Sequence, residues 1–131
     1  MNQTFKILVV DDNEQIVELI TYELVEYLDD VHVSKAKDGL KALNLTNTCK
    51  FDLIVSDNVM PGIEGLDFIR SIRQVEGLNH QTPFILCSGN FKAQEFKGIP
   101  DCYILPKPYD PQRLQGFLKL TLNIDREKSV G

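Results

Sequence analysis

The chain has 131 residues, which suits a single domain with a sizeable core and is short for two. Apolar residues make up 43% and charged residues 25%, a soluble globular balance, and no run approaches the ~18–20 apolar residues of a membrane span. A formal net charge of −5 and a pI near 5.0 argue against general binding to nucleic acid or an anionic membrane, and residues 1–10 lack the basic and apolar regions of a signal peptide.

Phe5–Val10 is a nearly continuous apolar run and predicts a first strand covered on both faces; it ends at Asp11-Asp12. Ile16, Leu19, Ile20, Leu24, Tyr27 and Leu28 then follow helical spacing, with Glu14, Glu18, Glu23 and Glu26 largely on the opposite face and Asp12 or Asn13 as the cap. Val31-His32-Val33-Ser34 alternates, as an edge strand with one wetter face should. Leu40, Leu43 and Leu45 mark a second helix after Asp38-Gly39.

Phe51–Ser56 predicts the third strand and delivers Asp57 to its end, before a loop carrying Met60, Pro61, Gly62 and Gly65. Leu66, Phe68, Ile69 and Ile72 mark a third helix, and Pro83–Cys87 a fourth strand closed by Ser88-Gly89. Phe91–Lys97 has room for about two helical turns before Gly98 and Pro100, so a short or irregular fourth helix is expected. Cys102–Leu105 is a fifth strand ending near Lys107. A last helix follows, with Asp110 as N-cap, Pro111 at its first position and Leu114, Phe117, Leu118 and Leu122 on its apolar face. Residues 1–124 read as one domain, and 125–131 as a polar tail or the start of a linker.

Cys49, Cys87 and Cys102 are odd in number and have no C-x-x-C spacing. Cys87 and Cys102 fall in apolar runs and are read as small core residues of a reducing, cytoplasmic protein. His32 and His80 show no metal spacing.

Five strands alternating with five helices make a βαβ series, hence a doubly wound parallel sheet with helices on both faces. Sites in such sheets form at the carboxyl ends of the strands. Asp11 and Asp12, Asp57, Ser88 and Lys107 each follow a different apolar run, so the fold gathers them on one edge. Three carboxylates there repel: two unit charges 4 Å apart interact by roughly 4 kcal/mol at an effective dielectric near 20. A hard dication on oxygen ligands relieves this, and an open carboxylate site favours Mg²⁺. With a lysine and a hydroxyl added, these are the parts needed to accept a phosphoryl group on a carboxylate.

"ILVVDDN" (7–13), "LIVSDNVMPGIEG" (53–65), "ILCSG" (85–89) and "LPKPY" (105–109) together resemble the receiver domain of two-component response regulators, over about residues 5–122. The resemblance implies a flavodoxin-like α/β fold with strand order 2-1-3-4-5. It implies that Asp57 takes a phosphoryl group from a histidine of a sensor kinase or phosphotransfer protein. Asp12 would bind Mg²⁺ directly, Asp11 through water and Val59 through its backbone carbonyl, with Asp57 completing the set. Lys107 would pair with a phosphoryl oxygen, with the Lys107–Pro108 bond cis, and Ser88 would be the switch hydroxyl. Such a domain is a signalling switch, an enzyme only toward its own phosphorylation and dephosphorylation. Its partners are a phosphodonor, an output protein and, in one reading, a phosphorylation-dependent second copy. Asn13, Glu14, Ile16, Pro108 and Tyr109 are rim positions for the phosphodonor.

Two departures stand out: the fourth helix looks short, and the aromatic of the switch is displaced. The family usually places an aromatic three residues before the lysine; here that position is Ile104, with Tyr103 one step earlier. Either the strand is bulged, or the aromatic half of the switch is missing. The chain also reads equally as a stand-alone receiver or as the receiver of a longer regulator. Two rival readings remain. A docking module that does not use phosphate is one; the other is an Asp-nucleophile phosphatase of the haloacid-dehalogenase type, which needs a second Asp where this chain has Val59.

Overall fold

A computed structural model describes residues 4–74, 76–89 and 98–124. The strands β1 (Phe5–Val10), β2 (Val31–Ala36), β3 (Leu53–Asp57), β4 (Phe84–Ser88) and β5 (Cys102–Pro106) form one parallel sheet. Their order is β2-β1-β3-β4-β5, as the resemblance implies. The helices among the described residues are α1 (Glu14–Tyr27), α2 (Gly39–Thr48), α3 (Gly65–Gln74) and α4 (Pro111–Thr121). α4 is the helix expected as the fifth. The short helix expected over 91–97 and the tail 125–131 lie outside the described residues.

The period-2 geometry of a strand explains why the central runs are continuously apolar. In β1, Ile7 and Val9 enter a core shared with Leu53, Val55, Ile85 and Leu105, closed by α1 and α4 through Ile20, Leu24, Leu114 and Leu118. Leu8 and Val10 point the other way, with Ile54, Phe84 and Leu86, into a core closed by α2 and α3 through Ala42, Phe68 and Ile69. All five residues of β3 and of β4 are buried, whereas the edge strand β2 buries only Ala36 fully.

Helix starts are set by short polar side chains. Asn13, not Asp12, caps α1, its side chain accepting the Gln15 N–H. Asp38 caps α2 through the Lys41 N–H, and Asp110 caps α4 ahead of Pro111. Each such cap contributes on the order of 1 kcal/mol.

Three expected core positions differ. Leu19 and Leu40 are 53% and 67% exposed, and Cys102 is only half-buried. In α1 four neighbouring apolar residues leave the centre of the stripe ambiguous, and the helix settles on Val17, Ile20 and Leu24. In α2 the small residues Ala42 and Thr46 face inward, while Leu40 lies outside against the Gly62 turn. Cys87 is buried and Cys49 exposed, and all three cysteines are free thiols.

Candidate functional site

Asp11, Asp12, Asp57, Ser88 and Lys107 sit at or just past carboxyl strand ends, whereas Val59 lies in the loop after β3 and Tyr103 and Ile104 lie within β5. The Asp11 N–H donates to the Ala36 carbonyl at 3.1 Å, carrying the β1–β2 ladder one step past Val10 and fixing the acid pair at the edge. Asp57 is the last residue of β3 and Ser88 the last of β4, each one residue later than the apolar runs end. Lys107 follows β5, its N–H donating to the Ser88 carbonyl at 3.0 Å, and the Lys107–Pro108 bond is cis.

Carboxylate oxygens of Asp11, Asp12 and Asp57 lie within 4.8 Å of one another, with Asp11 and Asp57 buried and Asp12 exposed. The Asp11 Oδ1 accepts the Asn13 N–H at 2.9 Å. Burial pushes the Asp11 carboxyl above its ordinary range; the Asn13 N–H opposes the rise and the charge of Asp57 adds to it. Lys107 Nζ stands 2.7 Å from Asp57 Oδ1. That contact is an ion pair outside hydrogen-bond angles, so the buried Oδ1 has a charge partner but no directed donor. Burial alone lowers the Lys107 ammonium, but contact with Asp57 and the charge of Asp11 outweigh it and leave its pKa raised. The same acids, after burial, help push the Cys87 thiol up to about 12, so Cys87 is inert packing rather than a nucleophile.

This donor set fits a hard divalent cation. Its oxygens converge, Lys107 is the one cation paired with them among the described residues, and one buried carboxylate oxygen lacks a directed donor. Val59, whose carbonyl was expected to join the set, lies in the loop after β3 with its side chain 73% exposed.

Loop shape is enforced by close packing. The Gly65 N–H donates to the Asn58 carbonyl at 2.8 Å, and a Cβ on Gly65 would stand 2.7 Å from the Asp57 carbonyl oxygen. Gly65 therefore lets α3 begin directly against the backbone of the site. Gly62 has φ +90, where only glycine is unstrained. Met60 is buried in the α2/α3 core, and the Ser56 hydroxyl donates to the Asp57 carbonyl at 2.9 Å.

The alternative left open at β5 resolves. Tyr103 pairs with Ile85 and Ile104 with Leu86 in unbroken register, so no bulge intervenes. Tyr103 packs on the α1/α4 side, its ring centroid 5.6 Å from that of Phe117, and Ile104 packs on the α2/α3 side. The aromatic ring and the site-flanking position are on opposite faces.

Sequence reasoning missed the ion pair between Lys37 and Glu14 beside the acid pair, 3.5 Å apart. Its signal was Lys37 immediately after the edge strand. It also missed that the Tyr109 hydroxyl is buried without a hydrogen-bond partner; burial, then the charge of Glu23, raises its pKa. Tyr109→Phe is therefore expected to hold or raise stability, by about 1 kcal/mol. Urea unfolding checks this, and a loss of similar size would mean that the hydroxyl is in fact satisfied.

Comparison with known proteins agrees with the geometry. A family model described as "Response regulator receiver domain" matches residues 7–119. The chain is 34% identical over 105 residues to the "Probable transcriptional regulator ycf29" of Porphyra purpurea, a match covering 77% of this chain and 50% of the relative; it thus spans half the length of that regulator. It is 33% identical over 95 residues to "Chemotaxis protein CheY-3" of Vibrio cholerae, covering 72% of each. Among solved structures, the chemotaxis response regulator CheY4 of Vibrio cholerae superposes with a TM-score of 0.81 at 28% identity, covering 92% of this chain and all of that one.

Proposed function

Because the chain belongs to the family of response regulator receiver domains, we propose that it is a phosphorylation-dependent switch whose phosphoacceptor is Asp57. Receiver domains serve two-component signalling and are signalling domains rather than classical enzymes, with histidine-kinase pathways as their setting. The observation that carries the proposal is the junction of three converging carboxylates with Lys107 Nζ, 2.7 Å from Asp57 Oδ1.

In this reading a carboxylate oxygen of Asp57 attacks the phosphorus of a phosphohistidine on a partner kinase or phosphotransfer protein. The O–P bond forms as the N–P bond breaks, and the imidazole leaves with the electron pair and takes up a proton. Lys107, already paired with the Asp57 carboxylate, stays protonated and pairs with a phosphoryl oxygen as the group arrives. Mg²⁺ held by Asp11, Asp12, Asp57 and the Val59 carbonyl would neutralise charge on the transferring group. Ser88, buried at the end of β4, offers its hydroxyl as donor to the new phosphoryl group and so couples β4 to the site. Ile104 takes the aromatic's position without its hydroxyl, and Tyr103 is held on the far face by Phe117. Switching in this chain accordingly runs through Ser88. The phosphodonor docks at the rim of the site, at Asn13, Glu14 and Ile16 at the amino end of α1 and at Pro108 and Tyr109 after β5. Among the described residues no helix is long and apolar enough to cross a membrane.

The test is incubation with acetyl phosphate and Mg²⁺, followed by intact mass. One added phosphoryl group, absent without Mg²⁺, supports the switch. No adduct and no released phosphate favours the phosphate-independent docking module.

Metal binding has its own readout. Mg²⁺ at a hundredfold excess over its Kd is expected to stabilise the protein by about 2.7 kcal/mol, seen as a rise in Tm. Asp12→Asn, at an exposed position, should fold normally and lose most of that rise. An undiminished shift in this variant would place the ion elsewhere.

A further inference from the structure

Three of the four described helices take their cap from the residue just before them: Asn13 for α1, Asp38 for α2 and Asp110 for α4. α3 is instead preceded by Glu64, which is outside the set of short polar residues that cap well. The N–H groups at its start are taken by one residue at the end of β3. The Gly65 N–H donates to the Asn58 carbonyl at 2.8 Å, and the Leu66 N–H donates to the Asn58 Oδ1 at 3.3 Å. We propose that Asn58 is a positioning residue: by capping α3 from across the loop, it couples cation binding at the acid site to the first turn of that helix. The inference rests on the reading of the acid cluster as a Mg²⁺ site, and adds to it the residue and the helix that report occupancy.

Position follows from the chain. Asn58 comes directly after Asp57, and its own N–H donates to the Cys87 carbonyl at 3.0 Å, carrying the β3–β4 ladder one step past the strand. Val59, whose carbonyl is the proposed cation ligand, comes next. The loop 59–64 is therefore held at both ends by Asn58, which is tied to β4 on one side and to α3 on the other. The fit is close. A Cβ on Gly65 would stand 2.9 Å from the Asn58 Cα, so the start of α3 rests on the Asn58 backbone.

The coupling comes from backbone order. Each planar peptide leaves two soft dihedrals per residue. Engaging the Val59 carbonyl fixes those between it and Asn58, the residue that must hold its side chain toward α3. The loop is then ordered once for both the cation and the cap, so each favours the other. Such coupling is reciprocal: the factor by which Mg²⁺ strengthens the cap equals the factor by which the cap strengthens Mg²⁺ binding. The Asn58 Oδ1 is committed to Leu66, so Asn58 acts through the loop and not as a ligand.

The experiment reads both sides of that equality. Amide hydrogen exchange of the wild-type protein, resolved by residue and under conditions where opening equilibrates before exchange, is compared with and without saturating Mg²⁺. The ion is expected to slow exchange of the Leu66 N–H about threefold or more. Asn58→Leu, close in size but without an acceptor, is expected to raise the Mg²⁺ Kd by the same factor. Glu64→Asp added to Asn58→Leu gives α3 an ordinary cap, and should recover Tm but not Mg²⁺ affinity. Recovery of both would make Asn58 a structural cap only and overturn the inference. Leu66 exchange indifferent to Mg²⁺ in a wild-type protein that binds the ion, or an unchanged Kd in Asn58→Leu, also overturns it and leaves the Mg²⁺ site standing. The wild-type exchange decides alone if the variant does not fold. Wild-type protein with no Mg²⁺-dependent rise in Tm overturns the Mg²⁺ reading, and this inference with it.

Discussion

Asp57→Asn should leave a folded protein that takes up no phosphoryl group from acetyl phosphate under any Mg²⁺ concentration. The amide matches the carboxylate in size, so the closely packed end of β3, 6% exposed, is preserved. It offers no anionic oxygen to attack phosphorus and only one good oxygen ligand to a cation. Stability should change little. The lost attraction to Lys107 at 2.7 Å is offset by relief of repulsion from Asp11, whose pKa the charge of Asp57 helps to raise. Intact mass after incubation reads the first effect and urea unfolding the second. Adduct formation at an undiminished rate would move the acceptor to another residue.

Asn79→Ala should cost about 3 kcal/mol of stability. Asn79 is 2% exposed and all its bonding capacity is used. Its Nδ2 donates to the Thr46 and Cys49 carbonyls, both at 2.7 Å, and its Oδ1 accepts the Phe51 N–H at 2.8 Å and the Thr82 hydroxyl at 3.0 Å. One side chain thus ties the end of α2, the approach to β3 and the approach to β4. Truncation to alanine strands two carbonyls and an N–H in a buried setting, each a cost of roughly 1–3 kcal/mol before relaxation. Because this knot lies at the amino edge of the sheet, opposite the acids, Mg²⁺-dependent phosphorylation should persist in whatever fraction stays folded. A fall in urea midpoint with m unchanged would bear this out. A loss under ~1 kcal/mol would show that water replaces the side chain.

These two residues also mark the limits of reading the chain by eye. Asp57 was legible because a run of buried strand residues ending in an acid is costly without a purpose, and the same logic found Asp11, Ser88 and Lys107. Strand alternation put Tyr103 and Ile104 on opposite faces only if β5 carried no bulge, and the β4–β5 register was needed to exclude one. Asn79 gave no sign, since its three backbone partners lie 28 to 33 residues away, and their convergence is a product of the fold. Arg73 is a similar case: it donates to the carbonyls of Pro100, His80 and Thr82 among others, joining α3 to the approaches of β4 and β5. A basic residue near a helix end reads as a solvated charge until those carbonyls are in place. The exposed Leu19 and Leu40 show a different limit. Apolar spacing finds a helix but not which of two overlapping stripes faces the sheet, because Val17 and Ala42 satisfy the period equally well.

The central claim is that a carboxylate oxygen of Asp57 forms a bond to phosphorus. The most direct measurement is to phosphorylate the protein with acetyl phosphate and Mg²⁺, reduce it with borohydride, which converts an aspartyl phosphate to homoserine, and map the peptides by mass. Homoserine at position 57 and at no other aspartate is the predicted result. Homoserine at position 11 or 12, or a phosphoryl group that survives borohydride on a histidine, would contradict it.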